Sequence, residues 1–107
     1  EANFDKKNIK HGDLKIDTEK YKVLVEENEI KLTATEFRLL HYLASNPGRV
    51  FSREQLLDKA LGDATIVVDR NIDVHIRGIR KKLGIQTPVI ETIRGVGYRF
   101  KEKYNAL

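Results

Sequence analysis

The chain's 107 residues suffice for one domain with its own core. It holds no cysteine, which excludes disulfides, thiolate metal sites and a cysteine nucleophile, and fits a reducing compartment. The formal charge of +4 is only mildly basic, and no apolar run approaches the ~20 residues of a membrane span, so a cytoplasmic location without a membrane partner is expected.

The first eight residues, EANFDKKN, are polar apart from Ala2 and Phe4. They read as a linker remnant or a cut end, leaving a domain over 9–104 and a short tail over 105–107. From 9 to 32 the hydrophobic period is two: Leu14 and Ile16, Val23 and Val25, and Ile30 and Leu32 each share a face, separated by polar breaks. That pattern predicts a small antiparallel sheet with one buried side.

A helix is predicted over 33–46. Thr33 and Glu36 have the spacing of a capping box, and Phe37, Leu40, Leu43 and Ala44 form a stripe at three and four. Asn46, Pro47 and Gly48 stop it, and Arg49, Val50 and Phe51 form an extended link. Ser52 and Gln55 offer a second capping box, so a short helix is predicted over 52–61, ending at Gly62. A loop over 62–67 follows.

The third helix is predicted over 68–83, closed by Gly84. At ~100° per residue, Val68, Ile72, Ile76, Ile79 and Leu83 fall within about 80° of one another and define a buried seam. The opposite side is centred on Arg70, Val74, Arg77 and Lys81, flanked by Asp73 and Arg80 on one edge and by Asn71 and Gly78 on the other. The segment carries five basic side chains against Asp69 and Asp73, the footprint expected of a polyanion partner. A solvated amphipathic helix with an Asp73–Arg77 ion pair would also fit the charges. Two details favour a ligand: Val74 stands where a water-facing helix would carry Lys or Glu, and Gly78 costs ~1 kcal/mol relative to Ala unless something approaches the backbone.

DNA answers both. Arg70, Arg77 and Arg80 could reach phosphates or guanine edges, and Val74 a thymine methyl. His75, near the edge of the seam, is either a half-buried structural histidine or a phosphate donor. The segment over 89–101 has a hairpin pattern, with Thr92 and Ile93 entering, Arg94 to Gly97 turning, and Tyr98 to Phe100 returning. Arg94 beside Gly95 is either an ordinary surface arginine or one suited to a narrow minor groove. The order sheet, three helices, hairpin is α+β and describes a winged helix-turn-helix, whose last helix enters the major groove.

An enzyme is not expected. His11, His41 and His75 are scattered without metal-ligand spacing, there is no G-x-S-x-G or P-loop, and GVGYRF opens no helix. No metal or cofactor is expected.

The segments LTATEFRLLHYLASNPGRVFSREQLL, VVDRNIDVHIRGIRKKLG and ETIRGVGYRF together resemble the OmpR/PhoB-type output domain of two-component response regulators, over most of residues 30 to 100. The resemblance implies a four-stranded N-terminal sheet, three helices and a C-terminal wing. By motif position it implies phosphate or groove contacts at Arg70, His75, Arg77 and Arg80, backbone contacts at Thr92 and Tyr98, and Arg94 in the minor groove. It further implies an RNA polymerase contact from the loop of Asp63, Ala64, Thr65, Ile66 and Val67. Tandem dimers on direct-repeat half-sites, a separate phosphorylated receiver domain and an upstream sensor kinase also follow from it. Members often carry a second arginine where this chain has Gly78, and many have tryptophan where it has Leu61. The competing expectation is a winged helix that docks protein through its helix or loop, with weak DNA affinity; the apolar Ile66 and Val67 favour it slightly.

Overall fold

The apolar row that crosses the N-terminal sheet explains its register. The computed structural model describes residues 8–62 and 70–102. Its first four strands, β1 (Ile9–His11), β2 (Leu14–Asp17), β3 (Lys22–Val25) and β4 (Asn28–Ile30), form an antiparallel meander in chain order. Ile9 pairs with Ile16, Ile16 with Val23 and Val23 with Ile30, so one face carries a continuous branched-aliphatic row. Ile16 and Val23 of this row are buried together with Leu14, while Lys10, Lys22 and Glu29 on the alternate positions face water. A one-residue slip would turn the whole row outward. The β3–β4 loop has only two residues, Glu26 and Glu27, both at positive φ as a type I′ hairpin requires.

Both capping boxes form. Helix α1 (Ala34–Ala44) starts at Thr33, whose hydroxyl accepts from the Glu36 amide while the Glu36 carboxylate accepts from the Thr33 amide. Helix α2 (Arg53–Ala60) starts at Ser52, paired in the same way with Gln55. Phe37, Leu40, Leu43 and Ala44 are buried as their spacing implied. Leu39 joins them, because α1 is covered on a wider arc than one stripe.

The third helix, α3 (Ile72–Leu83), begins later than the period alone suggests. Asn71 is its N-cap, with a side chain accepting from the amides of Asp73 and Val74. The period marks which residues face the core, whereas the cap sets where helical backbone begins. Val68 and Asp69 lie outside the described residues.

The segment after α1 is more than a link. Strand β5 (Val50–Ser52) pairs with β7 (Gly97–Phe100), which pairs in turn with β6 (Ile90–Ile93), giving a three-stranded sheet in the order β5-β7-β6. Phe51, Tyr98 and Phe100 turn inward against the helices. The result is a winged helix-turn-helix with an N-terminal sheet. Among the described residues no helix is long and apolar enough to cross a membrane.

Candidate nucleic-acid interface

Ile72, Ile76, Ile79 and Leu83 anchor α3 in the core, which fixes the rotation of the helix about its axis. The opposite side then faces solvent: Val74 is 41 % exposed, and Arg77 and Lys81 are exposed with it. Arg70 is also exposed, but it precedes the cap and stands ahead of the helix rather than on it. His75 is half-buried at the edge of the seam. Arginine and lysine are donors without acceptors, so this face, with an apolar spot at its middle, is chemically suited to an anion that also carries methyl groups.

Beside it stands the wing. The turn holds Arg94, Gly95 and Val96, closed by the Val96 amide on the Ile93 carbonyl at 2.9 Å. Gly95 has φ +78, the left-handed conformation that a side chain resists, while Arg94 and Val96 are exposed at the tip. Gly97 does not belong to the turn. It pairs with Ile93, and a Cβ there would lie 2.0 Å from the Phe51 carbonyl oxygen, so it is glycine to let β5 pass.

Several expected contact residues are committed within the protein. Tyr98, expected to meet a phosphate, is 5 % exposed, and its hydroxyl donates to Asp73 Oδ1 at 2.5 Å. The same oxygen accepts from Arg53 Nε at 2.7 Å. Asp73 is thus ion-paired with Arg53 of α2 rather than with Arg77 one turn along, because the fold brings the start of α2 against the start of α3. Arg80, expected in the groove, donates through Nη2 to the Ile90 carbonyl and to Thr92 Oγ1, both at 2.8 Å. Thr92, expected on the DNA backbone, therefore has an internal donor. The Arg53 and Arg80 guanidinium carbons lie 5.3 and 5.6 Å from the Tyr98 ring centre, within cation–π range. The hydrogen bonds from Tyr98 and then Arg53 hold the Asp73 carboxyl below the usual carboxylate range. Burial, helped by the Asp73 charge, pushes the Tyr98 phenol up.

Gly78 also has an internal cause. A Cβ there would lie 2.3 Å from Glu36 Oε2, so the glycine makes room for a buried carboxylate of α1 and not for an approaching ligand. Lys82, one turn on, closes the contact with Nζ 2.7 Å from Glu36 Oε1. Leu61, at the position where the resembled family often has tryptophan, is buried in the core. The proposed polymerase loop, Asp63 to Val67, lies outside the described residues.

Sequence reading missed Arg53. It stands twenty residues before Asp73, and nothing local marks the pair; the only hint is a basic residue directly after the Ser52 cap. A separate cleft of about 500 Å³ lies between the β1–β2 turn and the 84–89 connector. Ile85 at its rim is 93 % exposed.

Residues 27–100 match the family described as "Transcriptional regulatory protein, C terminal". The chain belongs to that family. It is of the OmpR/PhoB type, as its relatives show. It is 46 % identical over 92 residues to the phosphate regulon transcriptional regulatory protein PhoB of Rhizobium meliloti (strain 1021), covering 84 % of this chain and 40 % of that protein. The corresponding protein of Escherichia coli (strain K12) is 42 % identical over 93 residues, covering 85 % of this chain and 41 % of its own length. The chain thus spans about two-fifths of these relatives. Among solved structures, the DNA-binding domain of CpxR from E. coli superposes with a TM-score of 0.75 at 32 % identity, covering 91 % of this chain and 98 % of that one. The RstA DNA-binding domain of Klebsiella pneumoniae, solved in complex with the RstA box, gives 0.74 at 34 % identity, covering 89 % and 97 %. Winged helix and family agree with the expectation from the sequence.

Proposed function

We propose that this family member binds double-stranded DNA in a sequence-specific manner as the effector domain of a response regulator. Helix α3 enters the major groove with Val74 and Arg77 toward the bases, Arg70 and Lys81 meet phosphates, and His75 lies at the margin of the contact. Arg94 at the wing tip enters the neighbouring minor groove. The observation that carries this reading is the orientation of α3: its isoleucine seam is buried, so its cationic side with the exposed Val74 faces out. The RstA domain was solved on a DNA box, which lends support. In the whole regulator a receiver domain, under a sensor kinase, controls tandem pairing on direct repeats, and the loop over 63–67 meets RNA polymerase.

Gel shift on random duplexes at low salt tests the core of this reading. A shift at micromolar protein or below supports it. Failure to shift any duplex favours a winged helix that docks protein instead.

A further inference from the structure

Among the described residues, two side chains of α3 that reach the wing, Asp73 and Arg80, converge on one rung of it. Asp73 and Arg80 are seven residues apart, two turns of helix, so they share one edge of α3 about 10.5 Å apart along its axis. Asp73 grips β7 through the Tyr98 hydroxyl, and Arg80 grips β6 through Thr92 Oγ1 and the Ile90 carbonyl. Thr92 and Tyr98 are direct cross-strand partners. The next rung is Ile93 and Gly97, and then comes the turn that carries Arg94. The hairpin is therefore held to the helix at a point two residues from the arginine at its tip.

We propose that Asp73 is a positioning residue: by receiving Tyr98 of β7 and Arg53 of α2 on a single carboxylate oxygen, it fixes the wing against α3, so that helix and wing tip engage DNA as one rigid unit. The proposal rests on the DNA-binding reading above. Asp73 sits in the first turn of α3, on the edge flanking Val74 and Arg77, where its negative charge would be unfavourable toward phosphate. Arg53 and Tyr98 occupy that charge from inside the protein. The Tyr98 ring, flanked by the Arg53 and Arg80 guanidinium groups, is the common body that both grips act on. Arg80 holds the other strand of the rung, so loss of Asp73 removes the tie through the Tyr98 hydroxyl while β7 stays paired with β5 and β6, and the tip keeps only one of these two side-chain ties to the helix.

The test is a mutant cycle in the 107-residue chain, read by duplex-binding affinity on one selected site. In the wild-type background Arg94→Ala is expected to weaken binding by about tenfold, at the low end for a groove arginine. In the Asp73→Ala background the same change is expected to cost about twofold, because the tip is no longer presented. Lys81→Ala, on α3 itself and two turns from Asp73, is the control and keeps its full fold-cost in both backgrounds. A drop of more than half in the Arg94 cost, with the Lys81 cost retained, supports the proposal. Any smaller drop overturns it, as does an equal fall in both costs, which would mark Asp73 as serving the fold alone. If Asp73→Ala does not fold, Tyr98→Phe keeps the ring, removes the hydroxyl and is judged by the same criteria. Wild-type protein that binds no duplex refutes the DNA reading itself and is thereby distinguished from failure of the coupling.

Discussion

Gly78 of α3 and Glu36 of α1 face each other so closely that a single added carbon on the glycine would lie 2.3 Å from the carboxylate. Glu36 cannot easily retreat: Oε1 accepts from the Thr33 amide at 3.0 Å and from Lys82 Nζ at 2.7 Å, and the residue is buried. Helix propensity alone would favour Gly78→Ala by ~1 kcal/mol. Overpacking against an anchored group costs about 1–3 kcal/mol and is expected to win. The substitution should lower the urea midpoint with an unchanged m-value; a raised midpoint would show that Glu36 gives way.

The capping residues should matter individually. Thr33→Ala and Ser52→Ala each remove a hydroxyl that accepts from a first-turn amide. Each should destabilise by about 1 kcal/mol, while Thr33→Ser and Ser52→Thr recover most of it. Thermal or urea unfolding checks both; a cap whose loss changes nothing would mean that water satisfies the orphan amides equally well.

Stability should form a plateau in pH with two shoulders. Burial pushes the His41 imidazole down, so the fold favours its neutral form. Its contribution is complete above about pH 6.5 and falls away as pH drops through its lower folded-state value. Asp73, held down by Tyr98 and Arg53, adds a second decline below about pH 4. Tyr98 is shifted up by burial and by Asp73, so its contribution is complete below about pH 10 and lost on further increase. His41→Gln should flatten the midpoint profile on the acid side of about pH 6.5. A variant profile as steep as wild type would remove His41 as the cause.

Two substitutions on the outer face of α3 should behave differently toward DNA. Lys81→Ala should reduce the magnitude of the salt slope, expected near −4 to −5 for about five neutralised phosphates, by about one. Val74→Ala should leave that slope intact and lose discrimination at a thymine. Unchanged sequence preference in Val74→Ala would rule out the methyl contact.

The elements of the fold were legible because strong local signals mark them. Period-two alternation gave the meander, two capping boxes located α1 and α2, and the isoleucine seam named the buried side of α3. What stayed hidden depends on contacts between distant residues. Val50 to Ser52 is too short to declare itself a strand until β7 lies beside it. Asn71 caps α3 inside a stretch whose period continues past it, so the period extends the helix over Arg70 although that residue stands before the cap. Arg80, Thr92 and Tyr98 carry groups suited to DNA, and only the fold shows those groups turned toward one another. Gly78 looked like an opening for a ligand, and its reason is a carboxylate 42 residues earlier in the chain.

The most direct measurement is amide and arginine side-chain NMR of the 107-residue chain titrated with a duplex selected from a random pool. Large shifts are expected at Arg70, Val74, Arg77 and Lys81 and at the wing tip from Arg94 to Val96, with Ile85 and the cleft between the β1–β2 turn and the 84–89 connector unmoved. Shifts confined to that cleft and Ile85, with α3 and the wing tip silent, would contradict the DNA-binding reading.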